Sequence, residues 1–394
     1  MGKCNLLKED KCFILARWSD TSIRLERRHG TAWNTATGTP REILEGHTNY
    51  VNAVAFSPDS QTLVSASDDY TVRLWDASIS SQQTPKGPND NIDAIAFSSD
   101  GKTLASVSDD CIVQLWDTAT HHQTPRQHSS RVRTIAFSPN NKILALASDD
   151  CMVWFWDTTT DTFQQALEGH DNYINAISFS PDGKTLASAS NDSTVRLWGT
   201  ATYILQKTLK GHTEAVGAIT FSPNGKTLAS ASINYTVRLW DTTTGTLQKT
   251  LQVQSSSAWV TAIAFSPNGK ILALASDNYT ARLLDAATGA LQQTVESDQI
   301  LTELVFSNDG QYLKTDYGML KLAENTFPDE SPSQGISGYA LFVGKEWVTL
   351  DGKNILWLPH EYRPTCVAVY GQTVVIGRRP GGLTFLHFDL ESLD

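Results

Sequence analysis

Histidine, serine and aspartate follow one another in fixed order several times down this 394-residue chain. His47 precedes Ser67 and Asp69, His128 precedes Ser148 and Asp150, and His170 precedes Ser190 and Asp192. A serine activated by a histidine that an acid orients is the arrangement of a hydrolase. A second chemistry is suggested by Gly-Lys-Thr at 101–103, 183–185 and 225–227, which ends as a phosphate-cradling loop ends. Recurrence argues against the first reading, because a catalytic constellation is needed once. Each set also closes on a tryptophan (Trp75, Trp156 and Trp198), with the serine eight and the aspartate six residues before it. His212, Ser232, Asn234 and Trp240 form a further set with asparagine for aspartate. A buried chain of carboxylate, imidazole, hydroxyl and indole N–H satisfies donors between strands, so these residues are expected to be structural. The phosphate-loop reading fails on spacing, since Ala96, Ser178 and Thr220 stand where its first glycine belongs.

The elements that position these residues repeat. Tryptophans stand at 33, 75, 116, 156, 198 and 240, with Leu284 in the next equivalent place. The spacings are 42, 41, 40, 42, 42 and 44 residues. Within one unit, Ile174 to Phe179 reads as an apolar strand and Pro181-Asp182-Gly183-Lys184 as a turn. Leu186 to Ser190, Thr194 to Trp198 and Leu205 to Leu209 read as three further strands. A period near 42 residues with four short strands predicts a ring of blades. The Gly-His start, the Ser-x-Asp-x-Thr turn and the Arg-Leu-Trp-Asp ending resemble WD-repeat β-propellers, clearly over about residues 42–323. The resemblance implies that each His, Ser, Asp and Trp set is the family's structural tetrad. Two units depart from it, with Pro88 and Ser256 in the histidine place. The predicted fold is all-β, one ring of seven or eight four-stranded blades with leftover N-terminal strands; parts of two rings are the alternative.

Composition removes several function classes. The net charge of −11 argues against a nucleic-acid footprint. Cys4, Cys12, Cys111, Cys151 and Cys366 fit no zinc spacing, and are expected to be free thiols in a reducing, cytoplasmic setting. No metal or other cofactor is expected. No apolar run approaches a membrane helix, and the N-terminus carries no secretory signal. Met1-Gly2-Lys3-Cys4 lacks the Ser or Thr of an acylation site, having Leu6 there. The Asn-x-Ser/Thr triplets at 191, 234 and 278 read as turns between strands.

Binding is expected where the repeats differ. Residues flanking the tetrad His and Asp lie on one face of such a ring and do not pack between blades. They include Tyr50, Asn52, Tyr70, Asp93, Arg131, Arg133, Tyr173, Asn175, Tyr235, Trp259 and Tyr279. Tyr, Trp and Arg are the types that concentrate binding energy, so a protein or peptide partner is predicted at this face.

The repeat breaks down at both ends. Residues 5–25 align with 54–74, but Glu26–Ala32 adds seven residues before Trp33, read either as an insertion that distorts a blade or as a gene-model artefact. The expected organisation is a degenerate blade over 1–47, WD repeats over 48–323, a linker over 324–338 and closing blade strands over 339–394. The last blade is expected to take its outer strand from the N-terminal side. The run at 347–388, with Leu-Trp-Leu-Pro before Glu-Tyr-Arg-Pro, resembles the closing segment of fungal NACHT–WD-repeat proteins. That family is NLR-like and related to heterokaryon-incompatibility factors, and its repeats act as sensor. The resemblance implies a non-enzymatic, ligand-sensing scaffold; its NTPase activity is not carried over, because the chain has no P-loop. A cytosolic WD-repeat adaptor, such as one resembling the mitochondrial-fission adaptor, is the alternative. The broken ends predict that the chain is the tail of something larger.

Overall fold

The computed structural model describes residues 47–388 apart from 60, 77–81, 84–91, 121–122, 129, 253–258, 324–339, 359 and 378–382. Before residue 47 it describes only the backbone of strands Ile14–Trp18, Thr21–Leu25, Ala32–Trp33 and Pro40–Arg41. Cys4, Cys12, Glu26 to Thr31 and the 324–338 segment therefore lie outside the described residues.

Six four-stranded antiparallel sheets follow one another along the chain. Blade one runs from Val51 to Gln83, blade two from Ile92 to Gln127 and blade three from Val132 to Leu167. Blades four, five and six span Ile174 to Lys210, Val216 to Gln252 and Val260 to Glu296. A six-stranded sheet, Leu304 to Trp357, is the seventh, and a three-stranded sheet, Cys366 to His387, the eighth. First strands of successive blades one to seven are neighbours, and Cys366–Tyr370 returns to lie beside Val51–Phe56. The result is an all-β, eight-bladed propeller, with a single short 3₁₀ turn at His360–Tyr362 among the described residues. Ala32–Trp33 runs beside the outer strand Leu383–His387 of blade eight.

Composition explains the stacking. The second strand of blade four, Thr185–Ser190, is buried over its last five residues. Its alternating small side chains let sheets approach face to face, while Val, Leu and Trp from the first and third strands fill the gaps. Trp198 of blade four packs in this way with Ala145, Val153 and Phe155 of blade three. The turn after the first strand is tight, and Gly183 takes φ +69° there. Its open Cα face lies against Pro139 of the preceding blade, so the turns also stack around the ring.

Ring closure reuses an internal bond. In blades one to six, the second residue of the first strand sits in a β-bulge (Asn52, Asp93, Arg133, Asn175, Gly217 and Thr261). A bulged residue is left unpaired and is re-aimed. Asn52, Asn175 and Thr261 donate across the junction to the backbone carbonyls of Ile92, Val216 and Leu301. At the closure, Thr365 Oγ1 donates to the Val51 carbonyl at 2.9 Å. The Cys366 thiol lies beside the same oxygen, and burial pushes its pKa up to about 12.

Candidate protein-interaction face

The histidine networks sit on the face where third strands begin. In blade one, Trp75 Nε1 donates to Ser65 Oγ at 2.8 Å, and Ser65 Oγ lies 2.7 Å from His47 Nε2. His47 Nδ1 lies 2.9 Å from Asp69 Oδ2, which also accepts the Thr48 N–H. Blade four repeats this with Trp198, Ser188, His170 and Asp192. Blade five keeps Trp240, Ser230 and His212, but Asn234 turns to Thr213 and Thr236 rather than to the imidazole.

The serine therefore differs from the one inferred from sequence. Ser65, Ser188 and Ser230, ten residues before the tryptophan, carry the network. Ser67 and Ser190 instead hold the turn, each donating to a loop carbonyl and accepting the aspartate N–H. Ser232 does the same in blade five. Both serines lie on one face of the second strand, but Ser65 is the diagonal neighbour of Trp75, one step beyond its partner Leu63, whereas Ser67 ends the strand at the turn. A signal was present in the chain. The nearer serine occurs in all six units, even where the tryptophan is lost, as at Ser276. The farther one becomes Leu146 and Leu274 in just the two units whose tryptophan is displaced or absent.

Blade three breaks the pattern more deeply. His128, Ser148, Asp150 and Trp156 do not form one network. Ser148 Oγ donates to Asp150, while Trp156 Nε1 reaches Asp161 at 3.2 Å. His128 Nδ1 lies against the Ser130 carbonyl, and its buried Nε2 has no partner among the described residues. Trp154 covers His128 edge-on at 4.4 Å between ring centres.

Ser65, His47 and Asp69 do form the hydrogen-bonded order of a hydrolase triad. The hydroxyl cannot act as one: Ser65 is fully buried and its oxygen already accepts an indole N–H. The electrostatics fit a neutral imidazole. Burial lowers the His47 pKa against the opposing pull of Asp69, and burial together with Arg238 lowers His212 to about 4. Burial raises Asp192, but the bonds from His170 and Thr194 prevail and hold it well below the usual carboxylate range.

Around these networks lie the predicted contact residues, in three groups. Tyr50, Tyr70, Tyr173, Trp259 and Tyr279 are exposed, and Tyr235 is half-buried. Asn52, Arg133 and Asn175 are bulge residues aimed at the next blade; Asp93 lies on Ile92–Phe97, and its side chain lies outside the described residues. Arg131 pairs with Asp109 of blade two at 3.0 Å, and Arg133 pairs with Asp149 while lying 4.7 Å over the Tyr173 ring. These arginines tie blades together, and the acids that hold them were missed because they lie far away in sequence. Lys345, from the six-stranded sheet, likewise lies 4.6 Å over Tyr279.

Six equivalent turn residues share a strained backbone. Tyr70, Cys111, Cys151, Ser193, Tyr235 and Tyr279 all have φ of 64–65°. Glycine adopts this region freely, while other residues there cost about 1 kcal/mol or more each. Among the described residues there is no cluster suited to a metal ion, and no helix is long and apolar enough to cross a membrane.

This ring of repeated blades makes the chain a WD-repeat β-propeller. The family described as WD domain, G-beta repeat matches residues 38–76 and 79–117, and that described as the IFT122 first beta-propeller matches 131–317. The Lissencephaly-1 homolog 1 of Paramecium tetraurelia is 45% identical over 51 residues, 13% of this chain and 13% of that protein. The nuclear distribution protein PAC1 of Ajellomyces capsulatus is 39% identical over 67 residues, 17% of this chain and 14% of its own length. The vegetative incompatibility protein HET-E-1 of Podospora anserina is 36% identical over 89 residues, 22% of this chain and 7% of that protein. The matched stretches thus span small parts of these relatives.

Proposed function

We propose that the histidine-bearing face is a protein- or peptide-binding surface, and that the chain works as a non-enzymatic, ligand-sensing scaffold. The observation that carries this is the set of strained turns. Tyr70, Tyr235 and Tyr279 occupy left-handed positions where glycine would be more stable. Tyr70 and Tyr279 leave 47% and 42% of their surface in water there. The strained turn recurs in all six units, but three of them set a tyrosine on it, and aromatic side chains held in fixed positions on one face are what a polypeptide partner would grip. The test is the triple variant Tyr70→Gly, Tyr235→Gly, Tyr279→Gly. It is expected to melt no lower than the parent, yet to lose the proteins that the parent captures from an extract of its source cells. Equal capture by the two would overturn the reading.

The match to HET-E-1 and the closing run at 347–388 support a sensor derived from an NLR-like signalling protein. The matches to the Lissencephaly-1 and PAC1 proteins support an adaptor in a fixed complex instead. Co-purification in constant stoichiometry under all growth conditions would favour the adaptor; capture only after a stimulus would favour the sensor.

A further inference from the structure

The bulge residue closes the space between neighbouring blades in four of the described junctions, and fails to do so in one. Between blades one and two, Asn52 bonds Asp68 and the Ile92 carbonyl. Between blades four and five, Asn175 bonds Asn191 and the Val216 carbonyl. Between six and seven, Thr261 reaches the Leu301 carbonyl. Between three and four the filler is a cation: Arg133 lies over Tyr173 and is held by Asp149.

Between blades five and six the filler is absent. The bulge residue is Gly217, and a Cβ built there would meet only the Val260 carbonyl oxygen, at 3.8 Å. The place of Asp149 is taken by Ile233, 37% exposed, and the place of Tyr173 by Trp259, 54% exposed. Among the described residues no cation of the chain lies over this indole. Acidic residues belong to the loops on both sides of the gap. Asp277 accepts the backbone N–H of Trp259 at 2.8 Å, and Glu214 precedes Ala215, whose carbonyl accepts the Ile233 backbone N–H.

Resting on the reading of this face as a protein-binding surface, we infer that the notch formed by Gly217, Ile233 and Trp259 takes an arginine side chain from a partner polypeptide. The inserted residue does what Arg133 does two blades earlier. Its aliphatic stem lies on Ile233, its guanidinium stacks on Trp259, and Glu214 and Asp277 supply the negative field. An acidic side chain is disfavoured by the same two carboxylates. A wholly apolar anchor would leave that field unused.

The probe is an array of synthetic dodecapeptides of equal length that vary in Arg, Asp, Leu and Trp content, read with the full chain. Arginine-containing peptides are expected to be captured preferentially. Replacing the critical arginine by neutral citrulline, or Trp259 by Ala, is expected to weaken binding about tenfold. The double variant Gly217→Arg, Ile233→Asp rebuilds the blade three–four arrangement from within. It is expected to lose binding equally while retaining Trp259 and the parent's melting temperature. A preference for arginine-free apolar peptides, or equal binding of the citrulline peptide, would overturn the arginine assignment and leave the face intact. Unchanged binding by the self-filled variant would overturn the notch, and the triple tyrosine variant then judges the face separately. Capture of no peptide at all would count against both.

Discussion

Blades three and four have matching strands and turns, yet one buries its tryptophan and the other does not. The difference traces to one position. Ser188 in blade four accepts the Trp198 N–H and reaches His170, whereas Leu146 in the same place of blade three can do neither. Trp156 accordingly turns its N–H out to Asp161 and is half-exposed, while Trp198 keeps only 2% of its surface in water. Blade three compensates with packing: Trp154, where blade four has Arg196, closes over His128 and donates to Asp150. Blade six goes further and fills the site with Leu274 and Leu284. The network is thus graded by its serine: blade five keeps Trp240, Ser230 and His212 without the acid, and blade two keeps Trp116 buried and donating to Ser106. Complete, it ties the loop before the first strand to the second and third strands; without its serine, apolar contact replaces it.

The sharpest way to break this comparison is Ser188→Ala. It leaves two buried polar groups without a partner, and a loss of about 2–4 kcal/mol is expected in urea unfolding. Ser190→Ala removes only turn bonds and is expected to cost about 1 kcal/mol. Equal losses would mean that the nearer serine matters as much as the farther one. Next in size is the pair His170→Phe and His128→Phe. The first is expected to destabilise by about 2–3 kcal/mol. The second removes an imidazole whose buried nitrogen is unsatisfied, and is expected to leave the melting temperature unchanged or higher.

A third test uses pH. His212 titrates near 4 in the fold, because burial and Arg238 disfavour its charged form, against about 6.5 in an unfolded chain. The unfolded state therefore binds its proton first. This contribution is complete above about pH 6.5 and is lost as pH falls toward 4. Burial lowers His47 and His128 in the same direction. Asp69 and Asp192, whose pKa values are depressed in the fold, add stability that is present above about pH 3.9 and lost below it. Stability measured from pH 7 to 4 should fall, and His212→Gln should flatten that slope by about one proton. An unchanged slope would remove His212 from this account. The smallest effect is expected from Leu146→Ser with Trp154→Arg, which rebuilds blade four's network in blade three. Stability should change by less than about 1 kcal/mol, because one compensated arrangement replaces another. Trp156 should nonetheless move inward, seen as a blue shift of its emission.

Much of the fold was legible in the chain. The Trp spacing, the Ser-Pro-Asx-Gly turns and the strand runs at 347–350, 366–370 and 373–377 all correspond to observed elements. Less of the candidate site was legible. The aromatic turn positions could be counted from the repeat, because each stands one residue after the tetrad acid. The roles of Asn52, Arg133 and Asn175 could not, because a bulge moves a side chain from its own sheet to the neighbouring blade. Nor could the cation placed over Tyr279, which comes from Lys345, 66 residues away by number, on a different sheet.

By itself the sequence determined the period, the strand-and-turn order and the residue types on each strand, because these follow from local alternation and turn chemistry. Tertiary structure alone decided which serine meets the indole, where the ring closes and which junction stays unfilled. Those depend on register and on contacts between blades. A residue such as Thr365 finds Val51 only when the whole ring has come round.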